Sequence, residues 1–307
     1  MEITFPELTI IIINHNLKND TAECIDSFLV AGASLEQILL VDNASDDGSV
    51  EYLQAKFGQQ LGIIACTENL GYAYGLNQGI KKGLERDAKW FLLMNNDTIV
   101  APDFLTELRK ATQVGTEYAL FGPMIYYYSI PDRIWFLGDR LIPGTLITIR
   151  LYRGKKGIKN LPFLVPVDFT HGCGMMVKRE VFEKVGLFDD WSVIYGEEVD
   201  FIWRARLANF RAVGIPSAKM WHKISAFMKS QPPNLRYLRI RNQIRFYRHY
   251  ARGLQIPVMF TFTIVRTLKI GILDLIKKQS QLIRPLIGGW NDGWFGRDNK
   301  PKVINKI

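Results

Sequence analysis

The chain has 307 residues, of which 48% are hydrophobic and 22% are charged, and this ordinary globular composition excludes a disordered or fibrous protein. The formal net charge of +9 suits nucleic acid, anionic lipid or a polyanionic substrate as a partner. Basic residues crowd positions 219–278, whereas acidic residues cluster in the first hundred positions and again at 189–200, which indicates a distinct basic region near the C-terminus.

The first hundred residues alternate short apolar runs with helical patterns. The continuous apolar run at 8–13 is typical of a strand that is covered on both faces. Further elements follow at short intervals: strands are predicted at 37–41, 62–67 and 90–94, and helices at 20–29, 50–57 and 77–85. Strand–helix alternation requires right-handed crossover connections, so the sequence predicts an α/β fold with a mixed, mostly parallel sheet flanked by helices.

Polar residues end several of these strands. The strand at 90–94 runs into Asn95, Asn96 and Asp97, the strand at 37–41 runs into Asp42, and the first strand is followed by Asn14. Open α/β sheets bind ligands at the carboxyl edge, where hard oxygen ligands suit Mg²⁺ or Mn²⁺ carrying a diphosphate. The alternative for residues 95–97 is plain turn chemistry, which is the commoner explanation of that segment alone.

Other polar segments have a functional and a structural interpretation. Asp42 can accept a hydrogen bond from the imide N–H of uracil or thymine, or it can simply be solvated before a helix cap. The glycine-rich stretch at 68–79 lets a ribose or phosphate approach the backbone, although turn formation explains it as well. Glu197, Glu198 and Asp200 lie at a helix start, where acidic residues complement the dipole or supply a general base. His222 is expected at a strand end, as a structural residue or a metal ligand.

Beyond residue 102 the predicted elements are shorter and partly antiparallel. Helices are predicted at 103–114, 178–185 and 197–209, and strands at 118–128, 134–136 and 145–152. The pair Pro232 and Pro233 stops any preceding element and is the best boundary in the sequence. We therefore predict a catalytic domain at 1–231 and a basic, apolar helical extension at 232–307, with long helical stretches at 235–250 and 257–286.

The C-terminal extension suggests a surface-bound rather than a spanning segment. Residues 256–276 are apolar, but Arg266, Lys269 and Asp274 interrupt them, so a spanning helix is not expected. An interfacial helix on an anionic cytoplasmic leaflet fits this pattern, and a solvated helix packed on the catalytic domain is the alternative. Nucleic-acid binding is disfavoured because no recognition module accompanies the charge. Three cysteines without metal-like spacing, and no signal-peptide pattern, predict a cytoplasmic protein on the inner face of the cell membrane.

The order of these segments is more specific than any one of them. Taken together, the series resembles the inverting glycosyltransferases of family 2, with a GT-A nucleotide-diphospho-sugar transferase fold, and the rhamnosyltransferase-like branch is the most similar. The resemblance covers roughly residues 8–250, and residues 288–294 also resemble the terminal segment of that branch. The segments that carry it are Asp42, the 69–77 loop, residues 95–97, Trp135, the 172–174 turn, residues 197–200 and His222.

The resemblance implies a role for each matching residue. Asp42 would bind the nucleobase, and Asp97 would coordinate a metal on the diphosphate together with His222. Asn95 stands where the family's Asp-x-Asp motif has its first Asp, which implies a less charged cation site. The nucleotide-sugar pocket would further include Asn14, Asn69, Gly71, Asn77, Asn96, Trp135, Gly172 and Asp200. The family's Glu-Asp pair is replaced by Glu197-Glu198, and Glu198, which aligns with the Asp, would be the base, although the longer side chain leaves Glu197 open.

The implied reaction is an in-line displacement at the anomeric carbon of a dTDP- or UDP-sugar, with dTDP-rhamnose as one candidate. The acceptor would be a hydroxyl of a glycan or a lipid-linked saccharide in cell-surface polysaccharide synthesis. A nucleotidyltransferase is disfavoured because residues 14–19 lack the glycine-rich basic loop of that class. A catalytically degenerate protein that binds glycans or acts as a scaffold stays open, as do the donor sugar, the linkage and the oligomeric state.

Overall fold

A computed structural model describes residues 5–158, 160–224 and 232–296. The strands are β1 (Leu8–Asn14), β2 (Ile38–Asp42), β3 (Gly62–Ala65), β4 (Trp90–Asn95), β5 (Thr98–Val100), β6 (Leu120–Tyr127), β7 (Ile130–Phe136), β8 (Asp139–Leu141), β9 (Thr148–Arg150), β10 (Val165–Val167), β11 (Gly174–Lys178) and β12 (Ala212–His222). The helices are α1 (Lys18–Val30), α2 (Ser49–Phe57), α3 (Tyr72–Leu84), α4 (Phe104–Val114), α5 (Arg179–Val185), α6 (Glu197–Leu207), α7 (Pro233–Tyr250), α8 (Gln255–Ile276) and α9 (Ile283–Phe295).

The centre of the fold is one mixed sheet with the strand order β10-β12-β6-β11-β4-β1-β2-β3, to which β5 and β7 add at the side. The four N-terminal strands of this order pair in parallel, as the strand–helix alternation predicts. Strand β11 enters between β4 and β6 and is antiparallel to both. Strands β8 and β9 form a separate two-stranded ribbon. The predicted mixed α/β sheet flanked by helices is confirmed.

Strand β1 shows why the sheet is covered on both faces. All seven of its residues are buried. Ile10 and Ile12 belong to the hydrophobic cluster that includes side chains of α1 and α4. Ile11 and Ile13 belong to the cluster on the other side, which includes side chains of α3 and α6. Successive side chains of a strand point to opposite faces, so an uninterrupted apolar run is needed to fill two cores.

Helix α3 begins at Tyr72, five residues before the predicted start, so the glycine-rich stretch is largely helical and not a loop. The reason is close packing. A Cβ on Gly79 would lie 2.5 Å from Ile11 Cγ2, and a Cβ on Gly83 would lie 2.6 Å from Phe91 Cε1. The glycines therefore let the helix approach the sheet, and this packing overrides the low helix propensity of glycine.

Residues 232–296, the described part of the C-terminal region, contain three α-helices rather than the two long stretches predicted. Helix α7 begins at Pro233, as the boundary predicts. The stretch predicted at 257–286 is broken between α8 and α9, where Lys278 has φ +56°. Pro285 then lies in the first turn of α9, where a missing N–H costs nothing, whereas a continuous helix would hold it in the interior.

These three helices pack on the rest of the protein. Ile240, Ile244 and Phe246 of α7 lie in the same hydrophobic cluster as Ile11 and Leu93 of the sheet. The boundary predicted at residue 232 therefore marks the start of a helix that shares the core of the preceding residues. Helix α8 has an exposed apolar side, and it is long and apolar enough to cross a membrane by length and composition alone, which the sequence had not led us to expect.

Candidate functional site

Three strands of the sheet end side by side and carry polar side chains to one edge. Asn14 ends β1, Asp42 ends β2, and Asn96 follows β4. The fully buried Asn14 amide donates to Asp42 Oδ2 at 2.5 Å, and its Oδ1 accepts from Asn96 Nδ2 at 2.9 Å. Thr21 of α1 donates to the same Asn14 oxygen at 2.6 Å. The predicted meeting of Asp42 with the segment after β4 at one sheet edge is confirmed.

Asp42 is 2% exposed and well supplied with donors. The Ser45 backbone donates to its Oδ1 at 2.9 Å, and the Ser45 hydroxyl donates to its Oδ2 at 2.6 Å, beside the bond from Asn14. An ionised carboxylate has about four acceptor sites. One further donor, such as the imide of a pyrimidine, can therefore be accepted without breaking these bonds. The role of Asp42 in binding a nucleobase stays a prediction.

The segment between β3 and α3 is shaped by asparagines. The buried Asn43 amide donates to Asn69 Oδ1 at 2.8 Å and to the Gly71 carbonyl at 3.2 Å. Asn69 Oδ1 also accepts from the Gly71 N–H at 3.0 Å. Asn69 and Gly71 thus lie beside the polar edge. Asn77 is further along α3, where its amide group donates to and accepts from the Phe188 backbone at 2.8 and 3.1 Å. These two hydrogen bonds occupy the Asn77 amide group, which the resemblance assigns to the nucleotide-sugar pocket.

Tyr72 is a site residue that the sequence did not single out. Its buried hydroxyl lies 2.8 Å from Asn95 Oδ1 and 2.9 Å from the Gly172 carbonyl, so it bridges the end of β4 to the turn before β11. Burial raises the pKa of Tyr72 well above its usual range, and the carboxylates of Glu197, Glu198 and Asp97 act in the same direction. The tyrosine is therefore a neutral hydrogen-bond donor with all three carboxyl groups near it.

Asp97 and His222 form a buried pair. His222 ends β12, as predicted, and its Nε2 lies 3.0 Å from Asp97 Oδ1. Trp135 packs between two imidazoles, with its ring centre 4.7 Å from that of His171 and 4.8 Å from that of His222. Burial lowers the pKa of His171 to about 3, and the charge of Arg150 acts in the same direction, so this ring is neutral. The predicted His222, Trp135 and Asp97 are thus brought together.

The donor set of this pair suits a divalent cation. Asp97 Oδ1 and His222 Nε2 lie 3.0 Å apart, an ordinary hydrogen-bond distance that also equals the spacing of neighbouring ligands about 2.1 Å from an octahedral ion. Within the described residues no cluster of three or more His, Cys, Asp or Glu surrounds the position. Asn95 Oδ1 is close by but already accepts from Tyr72. Mg²⁺ and Mn²⁺ sites of this kind are completed by phosphate oxygens and water.

Glu197 and Glu198 begin α6 and differ in their surroundings. Glu197 is buried, and its Oε2 accepts from the Ser192 hydroxyl at 3.4 Å. Burial, followed by the charge of Glu198, raises the pKa of Glu197 well above its usual range. Burial also raises the pKa of Glu198, but hydrogen bonds from the backbone N–H groups of Glu198 and Gly196, followed by the cations Arg150 and Arg239, oppose the rise. Of two adjacent carboxyl groups, Glu197 is therefore the one that keeps a proton and Glu198 the one that ionises first.

Glu198 has one carboxylate oxygen without a partner. The residue is half-buried, its Oε2 is buried, and within the described part of the chain that atom has no hydrogen-bond partner. Gly172 lies directly against it, since a Cβ on that glycine would be 3.4 Å from Glu198 Cβ. Burial, then the carboxylates of Asp97 and Glu198, raises the pKa of the Cys173 thiol. Both carboxylates therefore lie near the Cys173 thiol, in the turn at 172–174.

Arg150 and Arg239 were not predicted as site residues. Arg150 ends the β8–β9 ribbon, pairs with Asp139 at 3.1 Å and lies over the Phe136 ring. Arg239 is an exposed residue of α7 whose guanidinium lies 5.1 Å from the Tyr195 ring centre. Both side chains come from parts of the chain that are remote from Glu198 in sequence, so no local motif indicates that they belong to the site.

Asp200 is hydrogen-bonded to structural partners. Its Oδ2 accepts from Arg204 at 2.8 Å, and its Oδ1 accepts from the Tyr250 hydroxyl at 2.6 Å. The bond to Arg204 lies within α6, and the bond to Tyr250 connects α6 to the end of α7. The structure thus engages Asp200 in helix packing. The predicted residues Asp97, Trp135, Gly172 and Glu198 instead lie around one region at the sheet edge.

Known proteins provide an independent comparison. Residues 9–186 match the family described as Glycosyl transferase family 2. The low-salt glycan biosynthesis hexosyltransferase Agl10 of Haloferax volcanii is 30% identical over 207 residues, which cover 66% of this chain and 62% of that protein. The N-acetylglucosaminyl-diphospho-decaprenol L-rhamnosyltransferase of Mycobacterium tuberculosis is 26% identical over 211 residues, which cover 60% of this chain and 66% of that protein. The chain therefore spans slightly less than two thirds of the length of these relatives.

A solved structure shows the same fold. The mannosyltransferase PcManGT from Pyrobaculum calidifontis, determined in complex with GDP-Man and Mn²⁺, superposes with a TM-score of 0.55. The superposition covers 94% of this chain and 87% of that chain at 14% identity. The predicted GT-A fold, a mixed sheet with flanking and C-terminal helices, is confirmed.

Proposed function

Because the chain belongs to glycosyl transferase family 2, we propose that it transfers a sugar from a nucleoside-diphosphate donor to a hydroxyl group, with inversion at the anomeric carbon. The observation that carries this proposal is the position of two carboxylates at one sheet edge. Asp97 is paired with His222, Glu198 lies against Gly172, and both carboxylates lie near the Cys173 thiol. A leaving diphosphate needs a group that can hold a cation, and an incoming alcohol needs a base. The two groups must lie within one site.

Glu198 acts as the general base in this proposal. It takes the proton of the acceptor hydroxyl while that oxygen forms its bond to the anomeric carbon, and the bond from that carbon to the diphosphate oxygen breaks with the electron pair leaving on the phosphate. The raised pKa of Glu198 brings its basicity closer to that of the alcohol, and protonated Glu197 adds no second charge beside it. Asp97 and His222 would hold Mg²⁺ or Mn²⁺, which stabilises the charge of the departing diphosphate when it is bound.

The donor is proposed to be a dTDP- or UDP-sugar. The support is the free acceptor capacity of Asp42, whose carboxylate is held in position by Asn14 and Ser45 and can take one more donor. Rhamnose is the first sugar to test, because the mycobacterial relative is named a rhamnosyltransferase. That relative's name also contains a diphospho-decaprenol, and we propose a glycan or lipid-linked saccharide acceptor in cell-surface polysaccharide synthesis.

Release of nucleoside diphosphate from a panel of UDP-, dTDP- and GDP-sugars tests the proposal, with Mn²⁺ or Mg²⁺ present. We expect turnover with a pyrimidine nucleotide donor, and a loss of about 10² to 10⁴-fold in Glu198→Gln, the usual contribution of a general base. The matched control Glu180→Gln changes an exposed glutamate at the start of α5 and is expected to keep activity. Glycan binding without turnover would instead favour a degenerate, glycan-binding protein.

We also propose that the protein lies on the inner face of the cell membrane as a peripheral protein. Helix α8 presents a stripe of exposed apolar residues at helical spacing: Val258, Val265, Leu268, Ile272 and Ile276. Lys269, Lys277 and Lys278 are exposed near it, which suits an anionic surface. On the packed side of α8, Asp274 pairs with Arg236 at 3.3 Å and Arg266 contacts Gln243. These charged groups of α8 therefore bind residues of α7 and do not face lipid.

Flotation with liposomes tests the membrane proposal. We expect the protein to float with vesicles that contain anionic lipid and to remain below with zwitterionic vesicles. The double variant Val265→Glu and Leu268→Glu should lose flotation, whereas the control pair Val114→Glu and Leu207→Glu, two exposed apolar residues on other helices, should keep it. Equal recovery of both double variants with anionic vesicles would refute the proposed surface.

A further inference from the structure

Helix α7 faces the segment that leads into the proposed base. We define this segment, residues 191–196, as the base loop, since Glu197 and Glu198 follow it directly. Three residues of α7 at successive turns contact it. Arg239 lies over the Tyr195 ring, Asn242 meets the loop backbone, and Arg245 lies 4.0 Å from the ring centre of Trp191. The base loop is therefore covered along its length by a helix from the C-terminal region.

Asn242 makes the most direct of these contacts. Its side chain is fully buried, and its Nδ2 lies 2.8 Å from the Ser192 carbonyl and 2.9 Å from the carbonyls of Ile194 and Tyr195. One amide nitrogen with two hydrogens thus serves three backbone acceptors. Arg241 donates to Asn242 Oδ1 at 2.9 Å, which fixes the orientation of the amide. Since buried backbone carbonyls require partners, an apolar side chain at this position would leave acceptors of the loop unsatisfied.

The base loop needs such support because its backbone is unusual. Val193 has φ +67°, Tyr195 has φ +65° and Gly196 has φ +100°. Positive φ is rare for residues other than glycine, and a β-branched residue adopts it only when the surrounding structure holds it. The loop is also tied on its other side, where the Val193 carbonyl accepts from the Tyr72 N–H at 2.8 Å. Without Asn242 the loop would keep only part of its support.

The loop in turn sets the start of α6. The Gly196 carbonyl accepts from the Asp200 N–H at 2.9 Å, and Ser192 donates to Glu197. A Cβ on Gly196 would lie 3.4 Å from Asn242 Cβ, so the two elements are in close contact at the point where the helix begins. A change in the loop therefore moves the first turn of α6, on which Glu198 sits against Gly172.

We propose that Asn242 is a positioning residue, which fixes the base loop and thereby holds Glu198 in the geometry needed to accept the proton of the acceptor hydroxyl. This inference rests on the proposed role of Glu198 as the base. It also gives helix α7, through Asn242, a role in positioning the base. This role then does not depend on whether α8 contacts a membrane.

Kinetics of Asn242 variants in the full chain test the inference. Asn242→Leu removes the amide at similar volume, and Asn242→Ser keeps a single hydroxyl donor. Gln243→Leu is the control, because the neighbouring amide contacts Tyr247 and Arg266 instead of the base loop. We expect kcat to fall about 100-fold in Asn242→Leu, the effect of a displacement of about 1 Å in a catalytic group. Asn242→Ser should fall less, and Gln243→Leu should stay within about threefold, a margin that corresponds to less than 1 kcal/mol.

Two further readouts separate positioning from general damage. The dissociation constant of the nucleoside diphosphate should be unchanged in Asn242→Leu, because the nucleotide would bind at the ends of β1, β2 and β4. In a Glu198→Gln background the Asn242→Leu change should cost little more, since a residue that acts through the base has no effect once the base is gone. If Asn242→Leu does not fold, Asn242→Ser carries both measurements.

The outcomes also separate this inference from the function on which it rests. Full activity of Glu198→Gln would overturn the role of the base, and the positioning role with it. Loss of activity in Glu198→Gln, together with wild-type kcat in Asn242→Leu or Asn242→Ser, would overturn the positioning role alone. Equal losses for Asn242→Leu with and without Glu198 would also overturn it, because additive effects show that the two residues act independently.

Discussion

Substitution of Gly71 by alanine tests the contact between α3 and the base loop. Gly71 precedes Tyr72 and has φ +105° and ψ 170°, a backbone conformation that is open essentially to glycine alone. A Cβ at this position would lie 2.5 Å from the Val193 carbonyl oxygen and 2.9 Å from Val193 Cα. Alanine is therefore penalised twice, through its backbone conformation and through a clash with backbone that cannot rotate away.

The two penalties can be separated with a second glycine. Gly32 has φ +91°, and a Cβ there would meet nothing within 4 Å. We expect Gly32→Ala to cost about 1 to 2 kcal/mol, the usual cost of left-handed backbone outside glycine. Gly71→Ala should cost about 2 to 5 kcal/mol, because overpacking adds about 1 to 3 kcal/mol. With an unfolding entropy of about 2.1 cal/mol/K per residue, each kcal/mol lowers the melting temperature of this 307-residue chain by about 1.5 °C.

Thermal unfolding and release of nucleoside diphosphate are the two assays. Gly71→Ala should melt below Gly32→Ala and should also lose turnover, because relief of the clash moves the base loop or Tyr72. Gly32→Ala should keep turnover, since Gly32 follows α1 at a distance in sequence from all site residues. A Gly71→Ala protein that is as stable as Gly32→Ala would refute the close approach of Val193 to Gly71.

Three further predictions concern groups of the candidate site. Tyr72→Phe leaves Asn95 Oδ1 and the Gly172 carbonyl without their shared donor. We therefore expect the free energy of unfolding in urea to fall by about 1 to 3 kcal/mol. The control Tyr52→Phe, at a half-exposed ring on α2, should change it little. Arg239 lowers the pKa of Glu198, so Arg239→Gln should move the acid limb of the kcat/KM profile to higher pH. The control Lys110→Gln should leave that limb in place. An unmoved limb in Arg239→Gln would exclude this electrostatic role. The pKa of Glu197 is raised in the folded state by burial and by Glu198, and such a group favours folding below its unfolded pKa and loses that contribution as pH rises through the folded pKa. Glu197→Gln should therefore raise the melting temperature at pH 8 and not at pH 4. Equal shifts of the melting temperature at both pH values would contradict a protonated Glu197.

Much of the sheet could be predicted because its signals are local. The apolar run of β1, the polar residues after β2 and β4, and His222 at the end of β12 all follow from strand periodicity and from what ends a strand. The start of α3 could not be predicted, because glycine has low helix propensity and the reason for Gly79 and Gly83 lies in the strands beneath them.

The candidate site was predictable only where residues are adjacent in sequence or follow the family pattern. Tyr72, Arg150 and Asn242 were missed, since each acts on a segment far away in the chain. Asn77 and Asp200 were assigned to the donor pocket by the resemblance, but the structure engages them with Phe188 and with Arg204 and Tyr250. A pattern of residue types cannot show which partner a side chain finds once the chain is folded.

The central claim is that Asp97 serves the nucleotide diphosphate and Glu198 serves the acceptor, at one edge of one sheet. Calorimetric titration of the nucleoside diphosphate in the presence of Mn²⁺ separates these roles in a single measurement. We predict that Asp97→Ala weakens binding at least about tenfold, which corresponds to about 1.4 kcal/mol, while Glu198→Gln binds like the wild type. Equal affinity in all three proteins, or an equal loss in both variants, would contradict the account.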